Sequence, residues 1–180
     1  ELVAAALKSE EILARVAERY VQAHNCIVLG RVFQYCTARE SALKLEETCY
    51  VVATPFSTAD FRHGPAALVE RGLPVIVFAS PGRTSTDSLE LLQWLRERGA
   101  YSLVIAEEER LLELATIPVQ LKLPPFAIEP APEKSGTSTT ELLAPLPYIV
   151  PGQLFAHYLA LSKNLDPDQP RSLTKITRTH

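Results

Sequence analysis

Apolar positions along the chain recur in two rhythms. Over residues 2–23 they fall at helical spacing among strong helix formers, which predicts an amphipathic helix. Further on, short continuous apolar runs alternate with helical stretches. Residues 26–30 (Cys-Ile-Val-Leu-Gly), 74–79, 101–106 and 117–123 read as buried strands, with a shorter one at 51–53. Helices are expected over residues 40–47, at 65–69 behind Pro65, over 89–98 with Gly99 as the stop, and over 107–114. The loop 31–35 feeds the first of these, with Thr37 as candidate cap. Strands alternating with helices, without hairpin signals, predict an α/β fold: a three-layer α/β/α sandwich around a mainly parallel five-stranded sheet.

The last third reads differently. Residues 124–140 hold four prolines and a Ser-Gly-Thr-Ser-Thr run, the mark of a long exposed loop. Residues 141–164 are expected to be mainly helical despite Pro145, Pro147 and Pro151, with His157 a packing residue among Phe155, Ala156, Leu159 and Ala160. Residues 166–180 show no helical pattern, and Pro167 and Pro170 impose extended or turn geometry, so a frayed terminus is the default.

Composition narrows the classes. A chain of 180 residues, 47% hydrophobic and 22% charged, suits one domain with a sizeable core. Its net charge of -3, without a Lys/Arg cluster, predicts neither nucleic acid nor a membrane surface as partner. No apolar run approaches the ~18–20 residues of a membrane span, and no signal peptide opens the chain. Cys26, Cys36 and Cys49 read as reduced buried thiols of a cytoplasmic protein. No Cys/His spacing fits a metal site, and neither a metal nor an organic cofactor is expected. The chain begins at Glu1 and holds no methionine, so a processed product or a piece of something longer is expected.

Candidate chemistry starts at Glu40, Lys44 and Glu47, at i, i+4 and i+7 on one helix face, with Ala38, Ala42, Leu45 and Cys49 opposite. Two carboxylates bracketing an ammonium suit proton movement on a small charged substrate. A solvated face with an ordinary i,i+4 pair, worth a few tenths of a kcal/mol, fits the same pattern. His63 stands just before Pro65, a place suited to a proton shuttle or to a plain loop histidine. The hydroxyl-rich loop 80–88 is either a phosphate cradle or an ordinary N-cap and turn, and it lacks the Gly-Lys-Ser/Thr ending of a Walker motif.

Four pieces taken in order carry a resemblance: Leu29-Gly30-Arg31 followed by the run 40–47, then His63-Gly64-Pro65-Ala66-Ala67-Leu68, then the strand 74–79, then residues 168–175 (Asp-Gln-Pro-Arg-Ser-Leu-Thr-Lys). Together they resemble the second sugar-isomerase (SIS) domain of the glucosamine-6-phosphate synthase family, and the aminosugar deaminases sharing that module. The resemblance implies a flavodoxin-like SIS fold, with a connector helix at 1–23, the SIS domain at 24–165 and a catalytic tail at 166–180. It implies that Glu47 moves the proton between C1 and C2, that Lys44 is its active-site neighbour, and that His63 assists ring opening from a partner subunit. Lys175 would form a Schiff base with the open-chain ketose, in an ordered tail, while Arg31, Glu40 and Thr174 would bind substrate. Ser41 stands where the family has glycine, and Glu46 where it has lysine. Most phosphate contacts in the family come from a first SIS domain, so half an active site is expected, completed by a homodimer partner or a second SIS domain. The expected activity is aldose–ketose isomerisation or deamination interconverting glucosamine 6-phosphate and fructose 6-phosphate. The alternatives are the isomerase half of a glutamine-dependent synthase, a non-catalytic regulatory module that binds sugar phosphate, and a structural dimerisation half.

Overall fold

The expected strands form β1 (Asn25–Gly30), β2 (Val52–Ser57), β3 (Pro74–Ala79), β4 (Tyr101–Ala106) and β5 (Ile117–Gln120). In the computed structural model, which describes residues 1–125 and 138–171, they build one wholly parallel sheet in the order β2-β1-β3-β4-β5. Alternation along each strand divides the core between the two faces. Val28, Ile76, Phe78, Leu103 and Ile105 point to one side, and Ile27, Leu29, Val75, Val77 and Val104 to the other. β2 and β5 are the edges, and each carries a proline within its span, Pro55 and Pro118.

The first face is covered by α1 (Leu2–Ala6), α2 (Glu10–Ala17), α3 (Gln34–Cys49), and a long helix near the C-terminus. α4 (Thr58–Phe61), α5 (Ser85–Glu97) and α6 (Glu109–Leu112) lie on the second, where Phe61, Leu91, Leu92, Leu95 and Leu111 are buried. The segment expected to be mainly helical over 141–164 is so, in two helices: α7 (Thr139–Leu143), opened by a Ser138/Glu141 capping box, and α8 (Pro145–Ser162). Pro145 and Pro147 sit in the first turn of α8, where an N–H is not needed, and Pro151 lies inside it. The helix expected over 2–23 is broken by 3₁₀ turns at Leu7–Ser9 and Glu18–Tyr20, and its Leu13, Val16, Ala17 and Tyr20 enter the same core as α8.

Four local expectations need correcting. α3 starts at Gln34, directly after a three-residue loop, so Thr37 is a buried interior residue and not a cap. Gly30 permits this abrupt entry, because a Cβ there would collide with the Gln34 carbonyl. His157 is exposed on α8, stacked edge-on against Tyr158, and not packed in the core. Cys26 and Cys49 are buried as expected, but Cys36 is exposed. The helix behind Pro65 is a single 3₁₀ turn, Pro65–Leu68. Among the described residues, no helix is long and apolar enough to cross a membrane.

Candidate functional site

Strand order fixes where a ligand can be held. The chain leaves β1 toward α3 on one face and β3 toward α5 on the other, so the loops part at the carboxyl ends of β1 and β3. Such a switch point is the usual ligand crevice of an open parallel sheet. In this chain it is almost filled. Arg31, Phe33, Gln34, Ser80, Thr84 and Glu141 surround about 10 Å³, barely room for one water. The Glu141 carboxylate accepts the Arg83 backbone N–H at 2.9 Å and lies 3.8 Å from Arg83 Nε. Gly82, at φ 129°, allows that approach, since a Cβ would strike the Glu141 side chain. Two hydroxyls of the loop 80–88 are engaged within the protein: Ser85 Oγ donates to Glu108 at 2.6 Å, and Ser88 Oγ to the Thr84 carbonyl at 3.0 Å.

The buried face of α3 is partly polar. Gln34, Thr37 and Ser41, spaced i, i+3 and i+7, are all buried, and their side-chain polar atoms have no partner within the described protein. Ser41 is accommodated by Gly152 of α8, where any Cβ would fall onto Ser41 Oγ and within 3.2 Å of Phe78 Cζ.

The outer face of α3 carries the predicted cluster. Lys44 Nζ donates to Glu47 Oε2 at 2.6 Å and stands 3.9 Å from Glu40 Oε1. All three side chains keep about a third of their surface exposed, 33%, 30% and 37% for Lys44, Glu47 and Glu40, so a substrate can reach them. The hydrogen bond to Glu47, helped by the charges of Glu47 and Glu40, raises the Lys44 pKa against the opposing pull of burial. Lys44 is thus held as an ammonium, a fixed cation beside a carboxylate and not a free amine.

The other predicted residues lie elsewhere. Arg31 and His63 share a cavity of about 340 Å³ with Thr58, Arg62 and Asp87. Arg31 Nε forms a 3.6 Å ion pair with Asp87, too long for a hydrogen bond. Glu40 lines a different cavity of about 510 Å³ with Cys36, Arg39, Glu46 and Pro55. The chain thus joins Glu40, Lys44 and Glu47 on one helix face, joins Arg31 with His63 in one cavity, and puts Glu40 and His63 on different cavities. Thr174 and Lys175 lie outside the described residues.

What precedes them is anchored. Lys163 Nζ donates to the Ala23 carbonyl at 2.9 Å, and Asp166 Oδ1 accepts the Asp168 N–H at 2.9 Å. Arg171 ends beside Tyr50, the residue closing α3. Arg62, Asp87, Tyr50 and Arg171 were not singled out by the sequence pattern. A signal existed only for Tyr50, a helix end with no glycine or asparagine to take it. Among the described residues, no three His, Cys, Asp or Glu side chains converge as metal ligands would.

The SIS domain model matches residues 19–143. The chain is 34% identical, over 97% of its length, to the glutamine–fructose-6-phosphate aminotransferase [isomerizing] of Pyrococcus horikoshii, and spans 27% of that relative. Among solved structures, the C-terminal domain of glucosamine-fructose-6-phosphate aminotransferase from Francisella tularensis matches with a TM-score of 0.77 and 27% identity, over 93% of this chain and 44% of that one. Glucosamine-6-phosphate deaminase from Thermotoga maritima matches with a TM-score of 0.68 and 25% identity, over 97% of this chain and 47% of that one.

Proposed function

Because the chain belongs to the SIS domain family, we propose that it is a phosphosugar isomerase module acting between fructose 6-phosphate and glucosamine 6-phosphate within a longer enzyme. The observation carrying this reading is the Lys44–Glu47 hydrogen bond at 2.6 Å on an accessible helix face, with Glu40 beside it. An ammonium held against a carboxylate stabilises negative charge while the carboxylate carries a proton between adjacent carbons. Lys175 is the amine of the reaction. It adds to the C2 carbonyl of the open-chain ketose, water leaves, and the resulting iminium acidifies the C1–H. Ammonia then displaces Lys175 from C2 by transimination, which frees the lysine amine, and Glu47 takes the C1 proton of the resulting iminium and returns it at C2. His63 assists ring opening, and Arg31 and Glu40 hold the sugar, as does Thr174. The printed names of the relatives support a nitrogen donor upstream of the sugar chemistry; the likeness to the Thermotoga deaminase supports the same steps run toward ammonia release.

Two features favour a site completed from outside the chain, by a second copy or a second SIS domain. Glu141 already fills the switch-point crevice, and the roughly 10 Å³ left there has no room for a phosphate. His63 and Glu40 line different cavities, as expected if each serves a different composite site. The test is Lys175→Ala in the longest natural form of the protein. Turnover and borohydride trapping with fructose 6-phosphate should both disappear, and Glu47→Gln should lower kcat by about 10²–10⁴. Unchanged turnover in Lys175→Ala would overturn the Schiff-base role.

A further inference from the structure

The hydroxyl of Tyr148 has more acceptors around it than protons to give. Tyr148 lies near the start of α8 and is fully buried. Its hydroxyl stands 3.1 Å from the carbonyl of Ala79, the last residue of β3, and 3.1 Å from a carboxyl oxygen of Glu107, the residue directly after β4. One phenol thus ties α8 to the ends of two strands. A phenol carries a single proton, and a carbonyl and an ionised carboxylate can only accept. With Glu107 ionised, one of the two contacts sets oxygen against oxygen with no proton between them. With Glu107 protonated, its O–H donates to the Tyr148 oxygen and the Tyr148 O–H donates to Ala79, so both contacts are satisfied.

The surroundings favour the acid form. α8 carries no Asp, Glu, Lys or Arg between Pro145 and Ser162, and its His157 is exposed; β3 and β4 carry no charged residue. The charge facing Glu107 is that of Glu108, next in the chain, whose carboxylate is held by Arg110 Nε at 2.7 Å and by Ser85 Oγ at 2.6 Å. Arg110 is therefore engaged by Glu108, and among the described residues Glu107 makes no ion pair. Burial foremost, with the Glu108 charge added to it, pushes the Glu107 pKa up against the pull of the Tyr148 hydroxyl.

We propose that Glu107 sits in the native protein as a neutral acid donating to Tyr148, and that its ionisation releases a latch. The phenol proton is then drawn to the carboxylate, and the Ala79 carbonyl loses the bond that ties α8 to β3. A charge-assisted bond outcompetes a neutral one for a shared proton, which sets the direction of the exchange. The native state binds this proton more tightly than the unfolded chain, so the latch is closed below the native pKa and opens as pH rises through it. α8 in turn packs on α3 through Gly152 and Ser41, so the latch bears on the seating of the helix that carries Glu40, Lys44 and Glu47.

The experiment uses the longest natural form of the protein, isotope-labelled at its glutamate carboxyls for NMR. The Glu107 signal is the one missing from Glu107→Gln, and pH is raised until that signal has titrated. Its midpoint should lie above the ordinary 4.5. Hydrogen exchange, normalised for its intrinsic pH dependence, should show protection of the α8 amides near Tyr148 falling about two- to tenfold over the same midpoint, as the loss of one neutral hydrogen bond requires. Glu107→Gln keeps a neutral donor toward Tyr148, so its protection should stay constant across that range. Tyr148→Phe lacks the shared proton and should show the lowered protection at every pH. A midpoint at or below 4.5 overturns the neutral acid. Protection in α8 that does not follow the Glu107 midpoint overturns the latch, and so does an equal fall in Glu107→Gln, whose amide cannot ionise. If Tyr148→Phe does not fold, the comparison of wild type with Glu107→Gln decides alone.

Discussion

The contact between Ser41 and Gly152 makes a quantitative demand on the packing of the helix that carries Glu40, Lys44 and Glu47. Gly152 lies inside α8, so Gly152→Ala in an unconstrained helix would gain about 1 kcal/mol from backbone propensity. Here the new methyl would fall onto Ser41 Oγ and within 3.2 Å of both Ser41 Cβ and Phe78 Cζ. Rotating the Ser41 hydroxyl away leaves the two carbon contacts in place, and overpacking of this kind costs about 1–3 kcal/mol. Gly152→Ala alone should therefore be neutral to about 2 kcal/mol destabilising. In a Ser41→Gly background most of the collision is gone, and the same substitution should be neutral to about 1 kcal/mol stabilising. The coupling between the sites is thus about 1–3 kcal/mol, which urea unfolding would register as a midpoint shift of about 1 M. Additivity within about 0.5 kcal/mol across the four proteins would refute the reasoning. Because the collision pushes α3 outward, Gly152→Ala should also lower activity, since misplacement by a fraction of an ångström is felt in catalysis.

Two further expectations concern titratable groups away from that contact. Burial pushes the Cys26 thiol up to about 12 and raises that of Cys49, whereas Cys36 is exposed. A thiol reagent at pH 8 should modify Cys36 rapidly and the other two only on unfolding, and three equally fast thiols would contradict the described burial. Burial also raises the pKa of Glu107, against the hydrogen bond it accepts from Tyr148 at 3.1 Å. A raised pKa means the native state holds this proton more tightly than the unfolded chain, so its contribution is present below the ordinary value of 4.5 and is lost as pH rises through the native pKa. Glu107→Gln should remove that decline, giving a flatter stability profile above pH 4.5, and an unchanged profile measured by urea unfolding at several pH values would count against it.

The sheet was readable because β1, β3 and β4 are short, almost wholly apolar runs, as strands buried on both faces require. The outer face of α3 was readable for a related reason: three charged residues at helical spacing, with small and apolar residues opposite, describe a half-buried helix. The start of α3 was not. It has no capping side chain and buries Gln34, Thr37 and Ser41, polar residues that pattern reading assigns to a loop or a cap. His157 misled because its apolar neighbours belong to a stripe whose centre lies about 130° around the helix axis at 100° per residue. The contacts that shape the site, Tyr50 with Arg171 and Arg83 with Glu141, join positions 121 and 58 residues apart and leave no local trace. The separation of His63 from Glu40 depends on the loop paths above the sheet, which neither periodicity nor propensity records.

The prolines of the edge strands have a consequence for assembly. An open sheet with exposed edges invites a neighbouring molecule to extend it by strand pairing. Pro55 and Pro118 each remove a donor from an outer ladder and stiffen the backbone there, so a sheet running continuously through two molecules is disfavoured at both ends. Any symmetric pair that brings His63 of one copy toward Glu47 of another must then join through helices and loops. Interfaces of that kind are built from side-chain shape and charge, and these govern which copies recognise one another more strictly than an unfinished row of peptide groups would.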